Sequence, residues 1–126
     1  MKFTARDEQR LVGVHPALIK VFRRVAEVSV MRFTITEGVR TMTRQKVLVA
    51  KGLSKTMKSR HLTGHAIDVA LYDDDGKITW DLQKYKDFAT IVEQVAASLG
   101  IEIEAGVRWK TIVDGPHFQL SWKQYP

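Results

Sequence analysis

The 126-residue sequence predicts an α+β fold: a small antiparallel β-sheet with about three α-helices packed against it, in a single domain. Three observations predict it. Two segments carry apolar residues at helical spacing, and several short segments alternate apolar with polar residues. The two kinds follow one another without the regular strand–helix–strand beat of a parallel sheet. A chain of this length can also bury enough surface to hold together without disulfides.

The first helix is expected over residues 16–26. Proline in the first turn forfeits no helical hydrogen bond, and Leu18, Ile19, Phe22, Val25 and Ala26 share one face. Residues 30–36 alternate and are rich in β-formers, so they read as a strand. Thr43 can cap a second helix that runs to about Lys51 and stops at Gly52. After a polar loop, residues 65–71 read as a strand, Asp74-Asp75-Gly76 as a turn, and residues 77–80 as an antiparallel return. The neighbouring aspartates lack the rest of a calcium loop, and a solvated turn is the expectation. Asp81 caps a long third helix through Phe88, Ile91, Val92, Val95 and Leu99, ended by Gly100. Residues 101–104 and 117–122 supply two further strands. Trp80 and Trp122 are expected in the core.

Twenty Lys and Arg against fourteen Asp and Glu give a net charge of +6. That balance suits nucleic acid, an anionic membrane or an acidic polymer such as a bacterial envelope, and does not choose among them. Cysteine is absent, which excludes a disulfide framework, a Cys-ligated zinc finger, an iron–sulfur site and a thiol nucleophile. No apolar run approaches the ~20 residues of a membrane helix. The first seven residues turn charged before a signal-peptide core can form. The expectation is a chain made in the cytoplasm, with no signal peptide and no membrane insertion.

Four histidines occur. His15 precedes Pro16 and reads as a turn or helix cap. His61 and His65 lie four apart, as in the helical zinc signature. That signature needs a glutamate after the first histidine and an unbroken helix, whereas Leu62 follows here and Gly64 interrupts. A better reading takes His61 from the loop and Asp68 from the strand. Alternation puts Ala66, Asp68 and Ala70 on one face, so small side chains flank the carboxylate, and His65 points away from it. His117 opens the last strand after a Gly-Pro turn, with Asp114 three residues before it. His61, Asp68 and His117 make a two-nitrogen, one-oxygen set with a position left for water, as in catalytic zinc sites. Asp114 is then placed to move protons between water and a leaving amine. By residue type alone, a buried His–Asp pair and an ordinary turn remain an alternative.

Ser59-x-His61-x-x-Gly64-x-Ala66-x-Asp68 and Asp114-x-Pro116-His117-Phe118 together resemble the two signatures of the zinc D-Ala-D-Ala metallopeptidases. That family includes D,D-carboxypeptidases, vancomycin-resistance dipeptidases and the L-alanyl-D-glutamate endopeptidases of phage endolysins. The runs Glu37-Gly38-Val39-Arg40-Thr41-x-x-Arg44-Gln45, Lys51-Gly52-Leu53-Ser54 and Leu11-x-Gly13-Val14-His15-Pro16-x-Leu18 resemble the single-domain endolysin branch. The likeness covers nearly the whole chain.

The resemblance implies one Zn2+ on His61, Asp68 and His117, with Asp114 as general base and acid. It implies that Arg40 binds the substrate carbonyl and stabilises the oxyanion, against the plainer reading of an arginine paired with Glu37. Ser59 is a candidate support of the metal loop, His65 a candidate rim contact and Trp109 a candidate cleft wall; each has a structural alternative. Arg44 is a family-run residue or a solvated charge. The implied function is hydrolysis of the L-alanyl-D-glutamate bond of peptidoglycan stem peptides by a zinc enzyme in an endolysin. Residues 1–126 would form one catalytic domain, monomeric and without a separate wall-binding domain. It would accumulate in the host cytoplasm and reach the periplasmic peptidoglycan with the help of a phage holin. Two rivals stand beside this reading. One is a D-Ala-D-Ala carboxypeptidase or dipeptidase with the same chemistry; the other is a non-catalytic basic binding module. No nucleic-acid motif accompanies the charge, so nucleic acid is not an expected partner.

Overall fold

The central strand of the molecule, β2 (Ala66–Tyr72), is bordered on both edges, and its partners set the architecture. The computed structural model describes residues 1–126. In chain order the elements are α1 Ala5–Leu11, α2 Pro16–Val28, β1 Phe33–Glu37, α3 Met42–Ala50, β2, β3 Ile78–Thr79, α4 Leu82–Ser98, β4 Ile103–Ala105 and β5 His117–Leu120. Short 3-10 turns occupy Arg60–Thr63 and Gly106–Arg108. All strand pairs are antiparallel, in the order β1-β2-β5-β4. On the edge of β2 away from β1, β5 pairs with Ala66 to Asp68 and β3 with Leu71 and Tyr72. Tyr85 of α4 serves the place between them: its hydroxyl accepts from Leu71 N–H at 3.1 Å and donates to the Thr79 carbonyl at 2.8 Å.

The α+β class and antiparallel sheet are as the sequence predicts, but there are four helices rather than about three. Helix α1 has only seven residues, too few for periodicity to reveal it. A capping box forms it: Asp7 N–H donates to Thr4 Oγ1 at 3.2 Å, and Thr4 N–H to Asp7 Oδ2 at 2.9 Å. The other Asp7 oxygen accepts from Thr34 Oγ1 and Ile35 N–H, which ties α1 to β1. Burial opposes ionisation of Asp7, but these hydrogen bonds outweigh it and hold the carboxyl below its ordinary range.

One face of the sheet makes the core. Ile67, Val69 and Leu71 of β2 pack with Phe33, Ile35, Phe118 and Leu120 against Phe22 of α2 and Phe88 of α4. The phenylalanine rings meet mostly edge to face, with Phe22–Phe118 centroids 5.5 Å apart. The expected alternation of β2 holds, so Ala66, Asp68 and Ala70 lie on the opposite face, outside this cluster. The expectation for Trp80 and Trp122 is corrected: they are 65% and 53% exposed. Four phenylalanines already fill the space between sheet and helices. Trp80 lies flat on Tyr85, and Trp122 lies beneath the Arg60 guanidinium at 3.8 Å. The first strand starts at Phe33 rather than residue 30, and helix α3 is capped by Thr41 rather than Thr43.

Candidate metal centre

His61 stands in the 3-10 turn, which the sequence fixes from several sides. Ser59 Oγ accepts from His61 N–H at 3.2 Å, capping the turn. Gly64 ends it at a φ of 76°, and a β-carbon there would come within 2.6 Å of the Gly13 carbonyl oxygen. The Gly64 carbonyl accepts from His15 N–H at 2.8 Å, and the His61 carbonyl from Arg40 N–H at 2.9 Å. Asp68 and His117 need no such loop. They are register partners on β2 and β5, and Glu37 of β1 is the partner of Asp68 on the other edge.

The hydrogen bonds of the two imidazoles decide which nitrogens are free. His61 Nδ1 lies 2.9 Å from the Gly38 carbonyl, which can only accept, so Nδ1 carries the proton. Gln119 Nε2 donates to the Glu104 carboxylate at 2.9 Å, which turns the amide oxygen toward His117. His117 Nε2 therefore donates to Gln119 Oε1 at 2.8 Å. The remaining nitrogens, His61 Nε2 and His117 Nδ1, both face Asp68 Oδ1 at 3.2 Å. The three candidate ligand atoms lie within 4.8 Å of one another.

Two nitrogen lone pairs and a carboxylate oxygen thus converge on one point in a buried site. Such a set is stable only around a cation, and its donor types and spacing fit a single divalent metal ion. Protons can substitute in part. Burial opposes the charge on His117, but the Asp68 carboxylate outweighs it and raises the pKa. Burial likewise opposes the charge on Asp68, and contact with His117 and His61 holds its carboxyl far below the usual range.

Arg40 lies beside this point, with its side chain 9% exposed. Nε and Nη2 donate to the two Glu37 oxygens at 2.7 and 2.8 Å, and Nη1 donates to Gln45 Oε1 at 2.8 Å. One N–H on Nη1 and one on Nη2 remain, and Nη2 stands 3.9 Å from Asp68 Oδ2. The Glu37 bond chiefly raises the Arg40 pKa, and its reciprocal lowers that of Glu37. The plainer sequence reading, an arginine paired with Glu37, is therefore the contact observed, but in a buried position lining the site. Asp114 precedes β5 and donates its N–H to the Gly106 carbonyl at 3.1 Å. Only glycine fits at 106, because a β-carbon would strike the Asp114 carbonyl oxygen. Burial first, and then the Asp68 charge, push the Asp114 carboxyl above its ordinary range.

His61, Asp68, His117, Glu37, Arg40, Asp114 and Gln119 line one open cleft of about 810 Å³. Of the other sequence candidates, Ser59, Arg44 and Trp109 line it too, and Trp109 packs against the His117 ring with centroids 5.2 Å apart. His65 is not brought to the cleft. It bonds Thr63 Oγ1 through Nδ1 at 2.7 Å and packs against His15, whose own Nδ1 accepts from Ala17 N–H as a helix cap. Sequence reasoning missed the supporting groups: the Gly38 carbonyl, Gln119 and Gln45. Period-two alternation does place Gln119 on the same face as His117, and that was the available signal. For the Gly38 carbonyl there was none, since any residue offers one.

The fold and the site define a class: an α+β domain in which two strands and a 3-10 turn bring together a His–Asp–His set suited to one metal ion in a cleft. Comparison with known proteins narrows it. The model of the family described as phage L-alanyl-D-glutamate peptidase matches residues 1–120. The L-alanyl-D-glutamate peptidase of Escherichia phage T5 is 39% identical over 117 residues, covering 90% of this chain and 85% of that protein. Peptidoglycan L-alanyl-D-glutamate endopeptidase CwlK of Bacillus subtilis is 35% identical over 101 residues, covering 68% of this chain and 59% of that one. The crystal structure of Serratia marcescens L-Ala D-Glu endopeptidase ChiX superimposes with a TM-score of 0.91 at 45% identity, covering 100% of this chain and 94% of that chain. The chain belongs to the phage L-alanyl-D-glutamate peptidase family.

Proposed function

We propose that this chain is a zinc endopeptidase that hydrolyses the L-alanyl-D-glutamate bond of peptidoglycan stem peptides. The convergence of His61 Nε2 and His117 Nδ1 on Asp68 Oδ1 carries the reading. Family membership supplies the bond and the stem-peptide substrate. His61, Asp68 and His117 would hold the ion, and two imidazoles with one carboxylate suit zinc. A zinc ion so held supplies Lewis acidity for the scissile carbonyl and for water.

The chain's own groups perform the rest. The Asp114 carboxylate takes a proton from the attacking water and returns it to the departing glutamyl nitrogen. Arg40 keeps two N–H groups free after binding Glu37 and Gln45, and directs them at the negative charge that grows on the carbonyl oxygen. Because its guanidinium is already held, little reorganisation accompanies the reaction. The Gly38 carbonyl and Gln119 keep the two imidazoles oriented, Ser59 caps the turn that carries His61, and Trp109 walls the cleft beside His117.

The net charge of +6 favours encounter with an anionic envelope, a rate effect that salt weakens. No helix is long and apolar enough to cross a membrane. On this reading the chain acts as a monomer, accumulates in the host cytoplasm and reaches the wall by way of a phage holin. Mass spectrometry of muropeptides digested by metal-reconstituted protein tests the bond. Release of peptides that begin with D-glutamate supports the proposal; release of D-Ala or D-Ala-D-Ala overturns it in favour of the carboxypeptidase or dipeptidase reading.

A further inference from the structure

Five cationic side chains line the cleft: Arg40, Arg44, Lys55, Lys58 and Arg60. Two are committed within the protein. Arg40 binds Glu37 and Gln45, while Arg60 donates to the carbonyls of Leu120, Ser121 and Tyr125 and covers Trp122. Arg44, Lys55 and Lys58 are exposed and take part in none of the protein's ion pairs. The acids that share the cleft, Glu37, Asp68 and Asp114, do not balance them: the first is bound to Arg40 and the second sits in the metal site.

The segment that carries two of these cations is anchored. Leu53 and Ser54 N–H groups donate to the Leu48 carbonyl at 2.9 and 3.2 Å. Gln45 Nε2 donates to Ser54 Oγ at 2.9 Å and to the Thr56 carbonyl, and Lys58 N–H donates to Thr56 Oγ1 at 2.9 Å. Three unpaired like charges that line one cleft favour an anion within it. The chemistry of the bond supplies one. In a stem peptide the D-glutamyl residue continues through its γ-carboxyl, so its α-carboxylate sits on the very carbon that bears the scissile nitrogen.

We propose that Arg44, Lys55 and Lys58 form a subsite for that glutamate α-carboxylate, so that the chain discriminates against stem peptides in which it is amidated. The proposal rests on the peptidase reading above. Lysine and arginine side chains that line a cleft can meet a carboxylate by charge-assisted hydrogen bonds, and the amide that replaces it offers no charge.

The test compares three synthetic peptides. One is L-Ala-γ-D-Glu-L-Lys with both carboxylates free, the second is amidated at the glutamate α-carboxyl, and the third is amidated only at the lysine terminus. The expected kcat/KM is about tenfold higher for the first than for the second at low salt, with the third close to the first. The triple variant Arg44→Gln, Lys55→Gln, Lys58→Gln brings the ratio of the first two near one at unchanged metal content and circular dichroism. A charge-matched control, Lys2→Gln, Lys46→Gln, Lys51→Gln, keeps the wild-type ratio, since none of those residues lines the cleft. Equal rates on all three by wild type would overturn the subsite and leave the peptidase reading intact. A rate lost only on the lysine amide would reassign the anion downstream and overturn the glutamate assignment. Full discrimination retained by the triple variant would place the selectivity elsewhere and overturn the role of these residues. Cleavage of none of the three by zinc-loaded wild type would overturn the peptidase reading and the subsite together.

Discussion

Gln119 stands two residues beyond His117 on β5 and accepts the hydrogen bond from its Nε2 at 2.8 Å, fixing the ring so that Nδ1 faces Asp68. Glu104 in turn holds the Gln119 amide, so the orientation of a candidate metal ligand depends on a relay across the β4–β5 ladder. A supporting partner of this kind typically contributes ~10–100-fold to metal affinity.

Gln119→Leu should therefore weaken zinc binding by about one to two orders of magnitude. Competition with a chromophoric chelator measures it. Saturating zinc should restore most of the lost activity, because the variant leaves Asp114 and Arg40 in place. An unchanged zinc affinity would detach Gln119 from the metal site.

Asp7 makes a prediction about acid stability. Its folded-state pKa is depressed, because hydrogen bonds from Thr34, Thr4 and Ile35 outweigh the effect of burial. A group depressed in the folded state stabilises fully above its unfolded pKa, and that stabilisation is lost as pH falls through the folded value. Asp7→Asn should cost about 1–3 kcal/mol at neutral pH. The gap to wild type should narrow below the ordinary carboxylate pKa. Urea titrations at a series of pH values check both the size and the sign.

Tyr85→Phe removes the hydroxyl that joins Leu71 N–H to the Thr79 carbonyl. The Leu71 N–H is then buried without a partner, at a cost of about 1–3 kcal/mol. The variant should unfold at lower denaturant with an unchanged slope. Catalysis per folded molecule should stay near wild type, since Tyr85 is not among the residues that line the cleft.

Much of this molecule was legible in its sequence, because local rules settle those parts. Asp81 and Gly100 bracket α4, Pro16 starts α2 and Gly52 follows the end of α3, each through a cap or a backbone constraint that acts within a few residues. Alternation along residues 66–71 put Asp68 opposite the core, and two histidines with a carboxylate have few chemical uses in common. What escaped was non-local. Helix α1 is capped locally by Thr4 and Asp7, but its place in the fold comes from Asp7 reaching Thr34 and Ile35 in β1, and no period exposes seven residues. Trp80 and Trp122 look like core residues until the four phenylalanines are seen to fill the space. Gln45 joins Arg40 to the 54–56 segment only after α3 is folded against them.

The central claim is that one metal ion on His61, Asp68 and His117 works with Asp114 to cleave the L-alanyl-D-glutamate bond. The most direct measurement is the rate of release of D-glutamyl peptides from purified muropeptides by wild type and Asp114→Asn, with zinc bound in equal amount to both. The account predicts full zinc binding by the variant, since Asp114 is not in the ligand set, and a rate lower by about 10²–10⁴-fold. Equal rates for the two proteins, or no D-glutamyl product from zinc-loaded wild type, would contradict it.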